Sequence, residues 1–341
     1  MSDNRLTRLA SLLVNYSTAV KPGDWVGILG DVSVLPALRE VYAAVVKAGG
    51  NPSLLIDDAA MQRIMLREGS KAQFDWLDPA LTKYFDEADV YIRIGGSPNT
   101  RAMSTIPGKR VQELAVARRS WLATRLDRAA RGEFRWVGAW YPNEASAQEA
   151  NLSIEEYADF VYGATFCDQD DPIARWQQVR DEQEGKVAYL KGKDRVVLKG
   201  PNIDLSLSIK EREFVNCAGA RNMPDGEIFT GPVEDSVNGW VRFSYPSIVG
   251  GRAVSGIGDV QGRQGGRGQR QRERRPAASA ASTPMQGRAI WASSRLAPTS
   301  ASTVSPATSC LTRRSAARCT WRSARAIRRP AARTAARSTG I

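Results

Sequence analysis

Past residue 257 the chain stops using lysine, phenylalanine and tyrosine altogether. Residues 258–341 hold 17 Arg against two acids, Asp259 and Glu273, a net charge of +15. Only Trp291 and Trp321 remain as aromatics there. A segment so charged and so poor in Leu, Ile, Val and Phe cannot bury enough apolar surface to offset its conformational entropy. Any packed core must therefore be built from residues 1–257. That body carries −3 of the chain's overall +12, so the basic balance belongs to the tail and not to the fold. Electrostatic attraction of nucleic acid by such a tail would be sequence-blind and salt-dependent, and aromatics for base stacking are sparse.

The body alternates strands and helices. Leu6, Leu9, Leu13, Tyr16 and Val20 share one helical face. The turn KPGD (21–24) leads into a buried strand, Trp25 to Leu29. Pro36 suits the first turn of a helix, which presents Leu38, Val41, Tyr42 and Val45 and stops at Gly49-Gly50. Further strands are expected at 53–56, 90–94 and 135–141, with helices at 59–69, 108–131 and 173–190. Ser153 and Glu156 form a capping box that opens another helix through Val161. This alternation predicts an α/β N-terminal domain with a helix-covered, mostly parallel sheet over residues 1–190. From 191 to 257 the texture turns to period two, in Val196–Leu198, Leu205–Ile209 and Val241–Ile248. That predicts a truncated, strand-rich α+β domain, with Pro246 at an edge or a bulge. The remainder, 258–341, is expected to be a disordered basic tail.

Several function classes fall away at this level. The chain has no histidine, which excludes a serine or cysteine triad with a histidine base and any histidine-ligated metal in this polypeptide. No apolar run approaches the roughly 18 residues of a membrane span, and the start lacks the continuous apolar stretch of a secretory signal. Cys167, Cys217, Cys310 and Cys319 contain no C-x-x-C pair and read as free thiols in a reducing cytoplasm. Gly27/Gly30 and Gly95/Gly96 match neither the dinucleotide fingerprint nor the P-loop, so glycine there reads as turn geometry. Asp168, Asp170 and Asp171 read as a solvated turn before Pro172.

The densest chemical language is Arg221 to Asn238, RNMPDGEIFTGPVEDSVN. Asp225, Glu227, Glu234 and Asp235 lie among two prolines and two glycines. Glu227 opens the run Ile228-Phe229-Thr230, so its carboxylate is expected at a strand end, with Gly226 and Pro232 fixing the backbone on either side. A carboxylate on a rigid element suits a metal ligand or general base.

The stretch NMPDGEIFTGP, followed by GWVRFSYP and preceded by KPGDWVGILGD (21–31), resembles the dimetal aminopeptidases called aminopeptidase T, aminopeptidase S and aminopeptidase II, over about residues 1–257. The resemblance implies removal of N-terminal residues from peptide substrates. It also implies two divalent metal ions of the zinc, cobalt or magnesium type, held by two Glu, two His, a Tyr and an Asp, and a possible homodimer. By motif match Glu227 is the first glutamate ligand, and the catalytic carboxylate carried by this chain. The tail fits the same family in another reading frame. Read one base back, residues 282–296 permit LDTDAGARYLGEFAI, and codons within 319–341 permit HLALGAGYPETGGKNRSAIHWD. Both look like the family's missing catalytic half, which implies a one-base insertion or deletion near residues 255–265. The expectation is a metal-dependent aminopeptidase by descent that is inactive as written. The alternatives are a nucleic-acid-binding protein acting through its tail, and a non-catalytic α/β ligand-binding protein.

Overall fold

A computed structural model describes residues 3–242, 247–249, 252–254, 257–261 and 289–292. The chain opens with α1 (Asn4–Ser11), which runs on through a π-helical turn, Leu12–Ser17. Next come β1 (Trp25–Gly30), a 3-10 turn (Val32–Val34), α2 (Leu35–Lys47) and β2 (Asn51–Ile56). Helices α3 (Ala59–Glu68), α4 (Lys71–Asp75) and α5 (Pro79–Glu87) lead to β3 (Val90–Gly95). Then α6 (Gly108–Ala117) and α7 (Arg119–Ala130) precede β4 (Arg135–Trp140), and α8 (Glu144–Ala150), α9 (Ile154–Ala164) and α10 (Pro172–Leu190) follow it. The strand-rich part holds β5 (Arg195–Gly200), β6 (Ile203–Ser208), β7 (Val215–Cys217), β8 (Asn222–Met223), β9 (Glu227–Thr230) and β10 (Asn238–Arg242). The short strands β11 (Ser247–Val249), β12 (Arg252–Val254), β13 (Ile257–Gln261) and β14 (Ala289–Ala292) complete the described elements.

The first sheet has the order β2-β1-β3-β4-β8 and is parallel throughout. Its strands alternate between two cores, as a sheet covered on both faces requires. Val26, Ile28, Val90, Ile92, Ile94 and Val137 face α1, α2 and α10, where Leu9, Leu13, Leu38, Val41, Val45 and Trp176 are buried. Tyr91 and Trp136 face the other way, onto Tyr84, Phe85 and Phe134. The expected helix-covered, mostly parallel sheet is what forms.

Three local expectations change. Tyr42 is 45% exposed, and Ala37 takes its place in the buried stripe of α2. The single helix expected over 108–131 breaks at Arg118, whose ψ of 13° leaves helical geometry. The break serves two cores: Leu114 packs with Phe74 and Ile106, while Trp121 turns onto Phe85 at 5.8 Å and donates to the Thr82 hydroxyl at 2.9 Å. Gly27, read from the sequence as turn geometry, lies inside β1 and is a packing requirement, because a Cβ there would run into the ring of Tyr84.

Beyond α10, β13-β10-β6-β5 form an antiparallel sheet, β11-β12 a two-stranded ribbon, and β14-β9-β7 a third sheet. The expected run Val241–Ile248 is thereby divided between β10 and β11. Residues 258–261 and 289–292, in the stretch read as tail, are described as strands. The disorder expected of the rest of the tail, and the place of Pro246, lie outside the described residues, as do Cys310 and Cys319. Among the described residues no helix is long and apolar enough to cross a membrane.

Candidate metal site at the start of β9

Glu227 stands where the sequence places it, as the first residue of β9. Its cross-strand partner in β7 is Cys217. Residues directly opposite in an antiparallel pair point to the same face, with Cβ atoms about 4.5–5.5 Å apart. The chain between them folds back on two positive-φ glycines, Gly219 (φ +91°) and Gly226 (φ +111°). Such backbone is cheap only for glycine. The Gly226 N–H donates to the Cys217 carbonyl at 3.0 Å, and the Gly219 N–H donates to Asp225 Oδ2 at 3.1 Å. Asp225 is thereby folded in beside the Cys217–Glu227 pair. One ligand atom from each of Cys217, Asp225 and Glu227 lies within 4.8 Å of the others.

Both acids are half-buried residues, each with one oxygen turned inward. Asp225 Oδ1 and Glu227 Oε1 are both shut off from solvent, and Oδ1 of Asp225 has no hydrogen-bond partner. Burial is the main cause that pushes the Asp225 carboxyl up, to about 8; the nearby Glu227 adds to it, and the Gly219 and Gly226 amides pull the other way. Arg221 lies close enough to Cys217 to interact with it electrostatically, and its own burial lowers its pKa. Its guanidinium sits 5.7 Å from the centre of the Trp136 ring.

The surrounding shell holds β7 in place. Gln183 on α10, 1% exposed, donates to Asn216 Oδ1 at 2.7 Å and to the Cys217 carbonyl at 3.1 Å. Asn216 donates back to the Arg180 carbonyl at 2.9 Å and to Glu184 at 3.1 Å. Tyr16 donates its hydroxyl proton to the Ala218 carbonyl at 2.8 Å.

The remaining acids of the Arg221–Asn238 stretch are not drawn in. Glu234 pairs with Arg212 at 2.8 Å and Asp235 is exposed. The Asp168–Asp171 run also has structural work. Asp170 pairs with Arg8 at 2.6 Å, and Asp171 caps α10 by accepting from the Ala174 N–H at 2.9 Å. A cleft of about 430 Å³ lies elsewhere, between the segment after β3 and α8, lined by Asn99, Arg101, Gln148 and Glu149.

Residues 2–259 match the family described as thermophilic metalloprotease (M29). The chain belongs to the M29 family. It is 27% identical over 274 residues to aminopeptidase T of Thermus thermophilus, a match that covers 74% of this chain and 67% of that protein. Aminopeptidase 2 of Geobacillus stearothermophilus is 23% identical over 277 residues, covering 75% and 67%. Among solved structures, wild-type AmpT from Thermus thermophilus aligns with a TM-score of 0.63 at 22% identity, over 75% of this chain and 69% of that one. That likeness is one of fold. As an M29 protein the chain is a peptidase of a metal-dependent class, and divalent cations are the cofactors the family implies.

The donors present do not fit two such ions. Among the described residues a single cluster of His, Cys, Asp and Glu is compact enough to hold a metal, and it has three members. Two bridged ions need several convergent ligands apiece, and the sequence contains no histidine to add.

Proposed function

We propose that this chain is a metal-dependent aminopeptidase by descent, with Glu227 as the ligand it retains, and that the 341-residue polypeptide does not turn over peptides. When two divalent ions are bound in such an enzyme, they supply an activated water and polarise the scissile carbonyl. The described residues offer donors for one cation at most, and the chain has no histidine to complete a second site, so no step through a two-metal centre is available to it. The observation that carries the reading is the position of Glu227. It is the motif glutamate, it heads a strand braced on β7, and among the described residues one of its oxygens converges with two other donors, in a chain without histidine.

The reading of the tail belongs with it. Residues 258–341 are the shifted-frame remnant of the second half of the catalytic domain, which carried the other ligands. Repair of one base near codons 255–265 is expected to reopen a frame ending in a His-Trp-Asp-like sequence. The repaired protein should release N-terminal residues from peptides with added zinc, cobalt or magnesium, and Glu227→Gln should abolish that release. Metal-stimulated turnover by the purified 341-residue chain, or no open frame after repair, would refute the proposal.

A further inference from the structure

We propose that Cys217, Asp225 and Glu227 hold one soft divalent cation of the zinc or cadmium kind. This is a thiolate–carboxylate site different in composition from the histidine–carboxylate centre that the family resemblance implies. It rests on the reading above only in taking Glu227 as a ligand.

Three observations carry it. The register of β7 against β9 places the Cys217 thiol and the Glu227 carboxylate on one face of one strand pair. The glycine-hinged loop brings Asp225 to the same point, within the 4.8 Å that spans all three donor atoms. Finally, the two oxygens of Asp225 are not equivalent. Oδ2 is taken by the Gly219 amide, while Oδ1 is sealed from water with nothing to accept from. A buried acceptor of that kind is costly unless something positive meets it, and a cation among the three donors does so.

The choice of metal follows from the donors. A thiolate selects soft ions over magnesium or calcium, which take oxygen ligands. Three protein ligands with one further position open to water is an arrangement zinc accepts. The frame is stiff where it needs to be. Gln183 holds the carbonyl of Cys217 and Tyr16 that of the next residue, so β7 is tied to α10 and to the N-terminal helix. Such outer partners fix ligand direction.

The test uses the full 341-residue chain carrying Cys310→Ser and Cys319→Ser, titrated with Cd²⁺ while thiolate-to-metal charge-transfer absorption is followed. One equivalent should bind, with an absorption intensity appropriate to a single thiolate, and Cys167→Ser should leave the curve unchanged. Cys217→Ser should remove the band, and Asp225→Asn and Glu227→Gln should each weaken binding by at least about tenfold, with far-UV circular dichroism unchanged. The intensity per equivalent in the unsubstituted site stands as evidence even where a variant fails to fold. Absence of the band, or its loss with Cys167→Ser in place of Cys217→Ser, overturns the site. Full affinity in Asp225→Asn overturns the site alone. Full affinity in Glu227→Gln overturns both the site and the role of Glu227 proposed above.

Discussion

Replacing Gln183 tests whether α10 holds the strand that carries Cys217. The side chain is 1% exposed and its Nε2 serves two acceptors, Asn216 Oδ1 at 2.7 Å and the Cys217 carbonyl at 3.1 Å. Its Oε1 is buried without a partner. Gln183→Leu keeps most of the volume and removes that stranded oxygen, but it takes both donors from β7. Two neutral hydrogen bonds at about 1 kcal/mol each put the loss near 2 kcal/mol. Gln183→Ala adds a cavity in place of the amide, about 2 kcal/mol more, for a total near 4 kcal/mol. With a urea m-value of about 3 kcal/mol/M for a body of this size, the midpoints should fall by about 0.7 M and about 1.3 M. Urea titrations followed by far-UV circular dichroism, with m unchanged, measure both. If the two variants melt with the parent chain, Gln183 does not brace β7 and the rigidity argued for the donor cluster fails. If Gln183→Leu alone melts with the parent, the two hydrogen bonds contribute nothing net and packing is the only link.

Two further predictions rest on other parts of the fold. Gly27→Ala should destabilise the chain by about 1–3 kcal/mol, because the added methyl overpacks against Tyr84. Tyr84→Phe should not rescue it, since the ring carbons remain in the way, and it should itself cost about 1 kcal/mol by losing the 2.7 Å bond to the Val90 carbonyl; a thermal melt of the three proteins decides. Burial pushes the Cys167 thiol up to about 11. A raised thiol pKa leaves less thiolate at any lower pH, so Cys167 should resist iodoacetamide at pH 8, and its labelling should rise as pH climbs toward 11. Peptide mass spectrometry reads this directly, and rapid native-state labelling at pH 8 would contradict the buried placement.

What the sequence made legible was local pattern. β1, β3 and β4 announce themselves as short, nearly continuous apolar runs because both of their faces are buried, and α2 does so because Leu38, Val41 and Val45 recur at helical spacing. The failures came where tertiary packing overrides periodicity. Tyr42 lies beside that stripe yet faces outward, and Arg118 breaks a continuous helical pattern so that Leu114 and Trp121 can enter separate cores. β8 is two residues long, too short for any period. At the site, Glu227 was readable because its motif is local. Cys217 lies ten positions earlier, and its partnership depends on strand register. The available signal was the pair Gly219 and Gly226, which bracket a fold-back able to set Val215–Cys217 against Glu227–Thr230.

That two-residue strand has a consequence for how the protein divides. Asn222 and Met223 pair in parallel with Gly138 and Ala139, Gly138 donates to the Arg221 carbonyl at 2.9 Å, and Met223 is 2% exposed within the main core. The outermost rung of the first sheet is thus lent by the segment that continues, two residues later, into Asp225 and Glu227. A fragment ended at α10 would bare the side of β4, and a fragment begun after α10 would carry away a piece of its neighbour's interior. The two regions cannot be traded as modules between relatives. A working chimera must keep residues 135–140 and 221–223 from the same parent.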